Sequence, residues 1–276
     1  MLNYTKYMNL FARTQLLDLT CPHCGSDTKF IGGKDAFCNF CERYISAQET
    51  NFQKEGGLEL PFIEVHSLIK QDEWYDAAKK VEMLLKQSSD PLFLYNSALF
   101  YYCFSNRKYH ERDYTLHGFM EQNAKNISES LDLTSKWKEC LFKAIRRINN
   151  EIKNNSPVDQ DLLFVKFMSE IKLNRLADSR KTLNVLHGSG AQAIRDNYAF
   201  MVYSVENDEK GAEKSLDGML SRGEVNAFYY LAKYLAKHRK INDADSILKF
   251  INKRANVLMA QELLYRIEST REASMV

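Results

Sequence analysis

Apolar residues in the C-terminal part of the chain recur with the spacing of a helix, and each run contains a small residue. The clearest run carries its pattern at positions i, i+3, i+7 and i+10, with Ile241, Ala244, Leu248 and Ile251. The run before it also sets large residues around a small one, with Phe228, Leu231, Ala232 and Leu235. Positions with this spacing share one face of a helix. The two runs therefore predict a helix–turn–helix unit with a small residue in each helix.

The small residue recurs along the chain at nearly constant intervals. It stands at Ala77, Ala144, Ser179, Ala212 and Ala244. The last three intervals are nearly equal in length, and the first is about twice as long as each of them. A further unit is therefore expected near residue 111. The sequence there is more polar, and we interpret part of it, 105–135, as a distorted unit or an insertion.

This period resembles that of the tetratricopeptide repeat, whose unit of about 34 residues is a pair of antiparallel helices. The resemblance implies that the small residue lets the two helices approach closely while the large ones fill the gap to the next unit. It is strongest at 228–251 and weaker elsewhere. The predicted fold is mainly α, an α-solenoid of degenerate tetratricopeptide-like helix pairs over 58–276. A helical bundle without repeats is the alternative.

Composition and charge agree with a helical globular protein. The 276 residues include only 4 Pro and 11 Gly, with 45% hydrophobic and 27% charged residues. The formal net charge of +2 gives no overall attraction to nucleic acid or anionic membranes. The longest apolar run, at 91–104, is too short to cross a bilayer. We therefore expect no membrane association.

Four of the six cysteines form two closely spaced Cys-x-x-Cys pairs: Cys21, Cys24, Cys38 and Cys41. Four thiolates at one point make a closed tetrahedral site, which is typical of structural zinc. Iron is the chemical alternative, since four thiolates bind it as well. Cys103 and Cys140 lie in helical patterns and are interpreted as buried free thiols. The expected cofactor is one structural zinc ion.

The residues around these pairs predict a small β unit. Gly32-Gly33 is a hairpin signal between β-prone runs at 29–31 and 35–37, and a third strand is expected at 43–47. Together with the first hook, CPHCG, the segment resembles a zinc ribbon of the rubredoxin-like knuckle type. The second hook, CNFCER, lacks the Pro and the Gly of that pattern. The resemblance implies a structural role for the metal.

The chain thus divides into four predicted parts. They are a short amphipathic helix at 1–20, the zinc ribbon at 21–47, a polar linker at 48–57 and the helical-repeat domain at 58–276. The helix is predicted from apolar and aromatic residues at helical spacing, namely Tyr4, Tyr7, Met8 and Phe11. We expect its apolar face to pack on the ribbon or on the first repeat. The N-terminal segment has no continuous apolar core, so a cytoplasmic protein is expected.

The sequence carries no catalytic constellation. It has no phosphate-binding Gly-rich loop with Lys and Ser or Thr, no nucleophile elbow and no paired-His metal helix. Four titratable residues close in sequence fit neither a helical face nor a ligand pattern, namely His110, Glu111, Asp113 and His117. We therefore expect a protein that is not an enzyme.

A helical-repeat groove is the main candidate binding site. The register of the resemblance places four residues on its inner face: Asn197, Asn226, Tyr229 and Lys233. Amide and ammonium groups there hold the backbone of an extended peptide or pair with a carboxylate. The expected function is that of an adaptor or scaffold for a protein or peptide partner. Because each repeat packs only on its neighbours, the helical domain is expected to stay folded without zinc.

A basic C-terminal segment supports an alternative function. Within 225–255, seven positive residues face two negative ones, a local net charge of +5, and tyrosines lie between them. The proposed basic patch comprises Lys237, Arg239, Lys240, Lys249, Lys253 and Arg254. Together with the ribbon, such a patch fits a nucleic-acid-associated regulator. Solvated helix faces explain the same charges without a ligand.

Overall fold

The computed structural model describes residues 4–13, 15–30, 36–38, 40–45, 62–110, 120–154, 159–187, 192–255 and 258–273. Within them the chain is mainly helical, with a small antiparallel β unit near the N-terminus. The helices are α1 (Tyr4–Ala12), α2 (Ile63–Lys70), α3 (Trp74–Gln87), α4 (Pro91–His110), α5 (Met120–Asn154), α6 (Gln160–Lys172), α7 (Leu176–His187), α8 (Gln192–Glu206), α9 (Glu209–Ser221), α10 (Val225–Lys237), α11 (Ile241–Ala255) and α12 (Leu258–Ala273). None of them is long and apolar enough to span a membrane. The predicted linker at 48–57 lies outside the described residues.

Short turns of one design join several of the consecutive helices. The turns after α2, α6, α8 and α10 each contain a residue with positive φ, namely Asp72, Asn174, Asn207 and Arg239. After α10, the N–H of Lys240 donates to the carbonyl of Leu235 at 2.9 Å. The same bond recurs after α6, from Arg175 to Glu170 at 2.8 Å. A residue in the left-handed region ends a helix, and Asn and Asp enter this region more readily than most residues. Three of the four turns use one of these two residues, and the fourth uses Arg239.

The small residues that mark the sequence period lie in the second helix of successive pairs. All are at most 1% exposed: Ala77, Ala144, Ser179, Ala212 and Ala244. Position 111, near which a further unit is expected, lies outside the described residues. Before it α4 has 20 residues, and after it α5 runs unbroken for 35.

The N-terminal helix packs on the last helix pair. Phe11 of α1 is 2% exposed, and its ring centroid lies 4.7 Å from that of Phe228 in α10 and 5.9 Å from that of Phe250 in α11. The guanidinium of Arg254 donates to the carbonyl of Ala12 at 2.6 Å, at the end of α1. The expected contact with the ribbon or the first pair was therefore wrong. The last helix, α12, also contacts α4, so helices far apart in sequence meet.

The β unit consists of two antiparallel strand pairs. Strand β1 (Leu17–Thr20) pairs with β2 (Asp27–Phe30), and β3 (Ala36–Phe37) pairs with β4 (Tyr44–Ile45). Strand β1 lies in the segment predicted to be helical, since α1 already ends at Ala12. The predicted hairpin glycines lie outside the described residues.

The β unit packs against the first helices of three pairs. The ring of Phe40 meets that of His66 in α2 edge-on, with centroids 4.5 Å apart. The side-chain amide of Asn96 in α4 donates to the carbonyl of His23 at 3.4 Å. Arg43 is 2% exposed and pairs with Asp161 at the start of α6. The ribbon is therefore held by helices that are distant from one another in sequence.

Candidate metal centre and binding groove

The two cysteine hooks have the same backbone geometry. In the first hook the N–H of Gly25 donates to the carbonyl of Cys21 at 2.9 Å, and in the second the N–H of Glu42 donates to the carbonyl of Cys38 at 3.0 Å. The N–H of Phe40 also points at the Sγ of Cys38, at 3.4 Å. Such N–H groups spread the charge of a thiolate and orient it toward a metal.

The four sulfur atoms converge on one point. The Sγ atoms of Cys21, Cys24, Cys38 and Cys41 all lie within 4.8 Å of one another, and all four residues are buried. The Sγ atoms are 3.8 Å apart in the pair Cys21–Cys41 and 3.6 Å apart in the pair Cys24–Cys38. A tetrahedron with Zn–S bonds of about 2.3 Å has edges of about 3.8 Å. The geometry is therefore compatible with a single zinc ion.

The thiols of Cys24, Cys38 and Cys41 differ in the direction in which their surroundings shift the pKa. Burial raises the pKa of the Cys24 and Cys41 thiols well above its ordinary value, and the hydrogen bond of each to Cys21 adds to the rise. At Cys38, burial also acts to raise the pKa, but hydrogen bonds from the other three thiols lower it overall. One thiolate is thus stabilised by its neighbours, whereas four thiolates together need a cation.

The residue after each hook adopts the left-handed conformation, with φ of 78° at Gly25 and 56° at Glu42. At Gly25 a β-carbon would lie 2.7 Å from Cγ1 of Ile63, so only glycine lets α2 approach the hook this closely. A non-glycine residue in this conformation costs about 1–2 kcal/mol. The second hook therefore accepts a strained Glu where the first has an unstrained Gly.

The side chain of Glu42 reaches α6. Its carboxylate lies 2.8 Å from Nζ of Lys172, and the two side chains are only 8% and 18% exposed. Burial lowers the pKa of Lys172, but the charge of Glu42 and the hydrogen bond to it, with smaller contributions from Tyr102 and Cys103, together raise the pKa overall. This partly buried ion pair joins the second hook to the helical domain.

The structure corrects two of the predicted groove residues. Asn197 and Asn226 are 0% and 3% exposed. The side-chain amide of Asn226 donates to the Oδ1 of Asn197 at 2.8 Å, and that of Asn197 donates to Glu224 at 2.7 Å. These amides hold the eighth and tenth helices together and are not presented to a peptide. The register of the resemblance could not reveal Glu224, the half-buried carboxylate that Asn197 binds.

The other two predicted residues, Tyr229 and Lys233, line a cavity of about 440 Å³ that we call the groove cavity. Its aromatic walls are Tyr102, Trp137, Phe200, Tyr229, Tyr230 and Tyr234. Its charged residues are Glu42, Lys172, Lys233 and Lys237, and apolar residues of α6 and α8 complete it. A cavity of this size, mostly apolar with a few polar groups, is typical of a binding site.

Three of the six residues of the predicted basic patch contact other groups of the protein. Lys249 pairs with Asp245 at 3.1 Å and with Glu268 at 3.3 Å. Lys237 donates to the carbonyl of Ser204, and Arg254 caps α1. The remaining members, Arg239, Lys240 and Lys253, lie on α11 or in the turn before it. Half of the predicted patch is therefore paired within the protein, and its role in nucleic-acid binding stays a prediction.

Sequence reasoning missed Glu42, Lys172, Tyr102 and Trp137. The only local signal was that CNFCER has Glu where CPHCG has Gly, which marks Glu42 as unusual. No local pattern indicates its partner, which lies far along the chain on α6. Of the titratable residues near position 111, Glu111, Asp113 and His117 lie outside the described part of the chain, as does the side chain of His110.

No protein-family model matches this chain, and neither characterised proteins nor solved structures show significant similarity to it.

Proposed function

We propose that this chain is a non-enzymatic, cytoplasmic adaptor or scaffold that binds a protein or peptide partner in the groove cavity. Its helical domain is a curved array of tetratricopeptide-like pairs, and its ribbon holds one structural zinc ion. The repeated turns and the buried small residues support the array, and the four converging sulfurs support the metal.

The groove cavity carries this proposal. It combines aromatic walls with the side chain of Lys233, which is exposed on the same helix as the buried Tyr229. Large apolar anchors that fill a desolvated pocket supply most of the binding free energy at interfaces. A partner segment with an apolar side chain and a nearby acidic group matches this surface.

Site-specific photo-crosslinking tests the proposal. Benzoylphenylalanine is placed at Tyr234, a cavity wall, or at Val185, which is 58% exposed on α7. In extract of the native host, we expect one crosslinked partner from position 234 and none from position 185. The Tyr229→Ala and Lys233→Glu changes should abolish that crosslink. A crosslink unaffected by both changes would contradict binding in the cavity.

Nucleic-acid binding is the alternative to peptide binding. A salt titration of binding to generic DNA separates the two functions, because phosphate contacts make affinity fall steeply with salt. The engaged state of Lys249 and Arg254 favours the peptide over the nucleic acid. Tight DNA binding at low salt, lost in Lys253→Glu and unchanged in Lys233→Glu, would reverse this preference.

A further inference from the structure

One wall of the groove cavity comes from the ribbon, not from the helices. Glu42 follows Cys41 directly in the chain, lines the cavity, and pairs there with Lys172. The other lining residues belong to helices α4, α5, α6, α8 and α10. The cavity is therefore complete only while the second hook keeps Glu42 in place.

The charge of Glu42 acts on the pKa of two tyrosines that line the cavity. After burial, it is the largest cause that raises the pKa of Tyr229 and Tyr230 well above the ordinary value. Lys172 lies on α6 together with Met168 and Ile171, which also line the cavity. Without Glu42, its ammonium group would face the cavity unpaired. A partly buried charge that loses its partner destabilises the folded protein.

The conformation of Glu42 depends in turn on the hook. Its φ of 56° is unfavourable for a non-glycine residue, and its N–H is fixed by the carbonyl of Cys38 at 3.0 Å. If the hook opens, that hydrogen bond is lost and the residue returns to its ordinary conformations. The carboxylate then leaves Lys172.

We infer that metal retention by the two hooks and partner binding in the groove cavity are coupled through the Glu42–Lys172 pair. The inference rests on the proposed function of the cavity and adds a regulator to it. Coupling between two sites is reciprocal. Chelation of zinc should weaken partner binding, and a bound partner should raise the affinity for zinc by the same factor, about 5- to 150-fold in typical cases.

The first test needs no partner. Zinc affinity is measured by competition with a chromogenic chelator in Lys172→Met and in Lys166→Met. Lys166 is a matched control, since it lies on the same helix and pairs within it with Glu170, at 3.8 Å. We expect Lys172→Met to lower zinc affinity by roughly 10- to 100-fold, as loss of an outer partner of a metal site does. Lys172→Arg should restore most of it. Equal affinities in Lys172→Met and Lys166→Met would overturn the inference.

The second test follows the cavity itself. The chain has two tryptophans, and Trp137 lines the cavity while Trp74 does not. In a Trp74→Phe variant, iodide quenching of fluorescence therefore reports on Trp137 alone. We expect chelation of zinc to increase the quenching constant, because an unpaired Lys172 attracts the anion and the wall has opened. An unchanged constant after verified zinc loss would contradict the coupling.

A third comparison separates this inference from the proposed function. The crosslink from position 234 is measured with zinc-loaded and with chelated protein. Loss of the crosslink on chelation supports the coupling. If cavity variants abolish the crosslink but chelation does not, the inference fails and the binding function stands. If cavity variants have no effect, the binding function fails, while the zinc affinity of Lys172→Met still decides whether the hook and the cavity wall are linked.

Discussion

The two cysteine hooks reach the same geometry with different residues. Both close with an N–H···O bond across the hook, and both need a left-handed residue after the second cysteine. Gly25 meets that need without strain and, having no side chain, lets Ile63 of α2 approach. Glu42 meets it with strain and uses its side chain to reach Lys172 of α6. The second hook thus gives up local stability for a distant contact.

This difference shows that the ribbon is more than a separate metal-binding module. One hook fits the first helix pair by shape, and the other is tied to the third pair by charge. The sequence resemblance treats the missing Gly of CNFCER as a weaker match to the pattern. In the folded chain, the Glu at this position joins the ribbon to α6 through Lys172.

The largest expected effect comes from the four clustered cysteines, two in each hook. Cys21→Ser in the first hook and Cys38→Ser in the second should each abolish stoichiometric zinc, because a closed site needs all four thiolates. A structural zinc site contributes roughly 10–16 kcal/mol to the folding of a small domain. Elemental analysis of purified protein checks this, and iron in place of zinc would identify the alternative metal. One zinc per chain retained in either variant would rule out the four-cysteine site.

The next largest effect is expected from a variant that removes only the contact between the second hook and the helices. Lys172→Met leaves the carboxylate of Glu42 8% exposed and without its cation. Loss of one partner of a buried pair costs about 3–5 kcal/mol, and because Lys172 is partly exposed we expect about 3 kcal/mol. Urea unfolding of zinc-loaded protein measures it. A loss no greater than that of an exposed pair, below about 1 kcal/mol, would show that the pair is energetically unimportant.

A smaller effect is expected from a variant that disturbs only the packing of the first hook against α2. Gly25→Ala places a methyl group against Ile63 at a φ of 78°, so we expect about 2 kcal/mol of destabilisation. Gly223→Ala is the matched control, since Gly223 has a φ of 76° but lies between α9 and α10. The loss at Gly25 should exceed the loss at Gly223 by the cost of displacing Ile63. Equal losses of stability in the two variants would mean that the packing of α2 does not require a residue without a side chain at position 25.

The last expected effect changes sign with the background, and it comes from a variant that makes the two hooks alike. In a Lys172→Met background, Glu42→Gly removes both the orphaned carboxylate and the strained conformation. We expect it to recover stability, with about 1 kcal/mol from the relaxed backbone alone. In the wild-type background the same change should destabilise, because it orphans Lys172. Opposite signs in the two backgrounds, measured by urea unfolding, define the coupling. A stability change of the same sign in both backgrounds would show that Glu42 and Lys172 are not coupled.

Local patterns in the sequence account for much of the fold. The Cys-x-x-Cys pairs predicted the thiol cluster, and the period of Ala77 to Ala244 predicted helices whose small residues are buried. Both features depend on residues that are close in sequence or repeat regularly. Local spacing is therefore enough to reveal them.

The remaining features depend on long-range contacts that leave no local pattern. The ribbon's place against α2, α4 and α6 rests on contacts such as Glu42–Lys172 and Asn96–His23. The groove prediction failed at Asn197 because Glu224, on a later part of the chain, satisfies its amide. Likewise, the helix at 1–20 gives way to β1 because Leu17–Thr20 finds a pairing partner in Asp27–Phe30.

Placing the ribbon among the helices also changes the expectation that the helical domain stays folded without zinc. That expectation assumes contacts only between neighbouring repeats. Here the ribbon contacts three helix pairs. The helix α1, just ahead of the ribbon in the chain, packs on another pair, α10 and α11. Loss of the metal should therefore loosen the helices as well as the ribbon.

Thermal unfolding followed by circular dichroism at the helical wavelength, with and without a zinc chelator, tests this placement most directly. If the ribbon is part of the helical core, chelation lowers the midpoint of helix unfolding and the helical signal is still lost in one cooperative transition. If the ribbon is an independent module, zinc is lost and the midpoint of helix unfolding does not move. That second result would contradict the account.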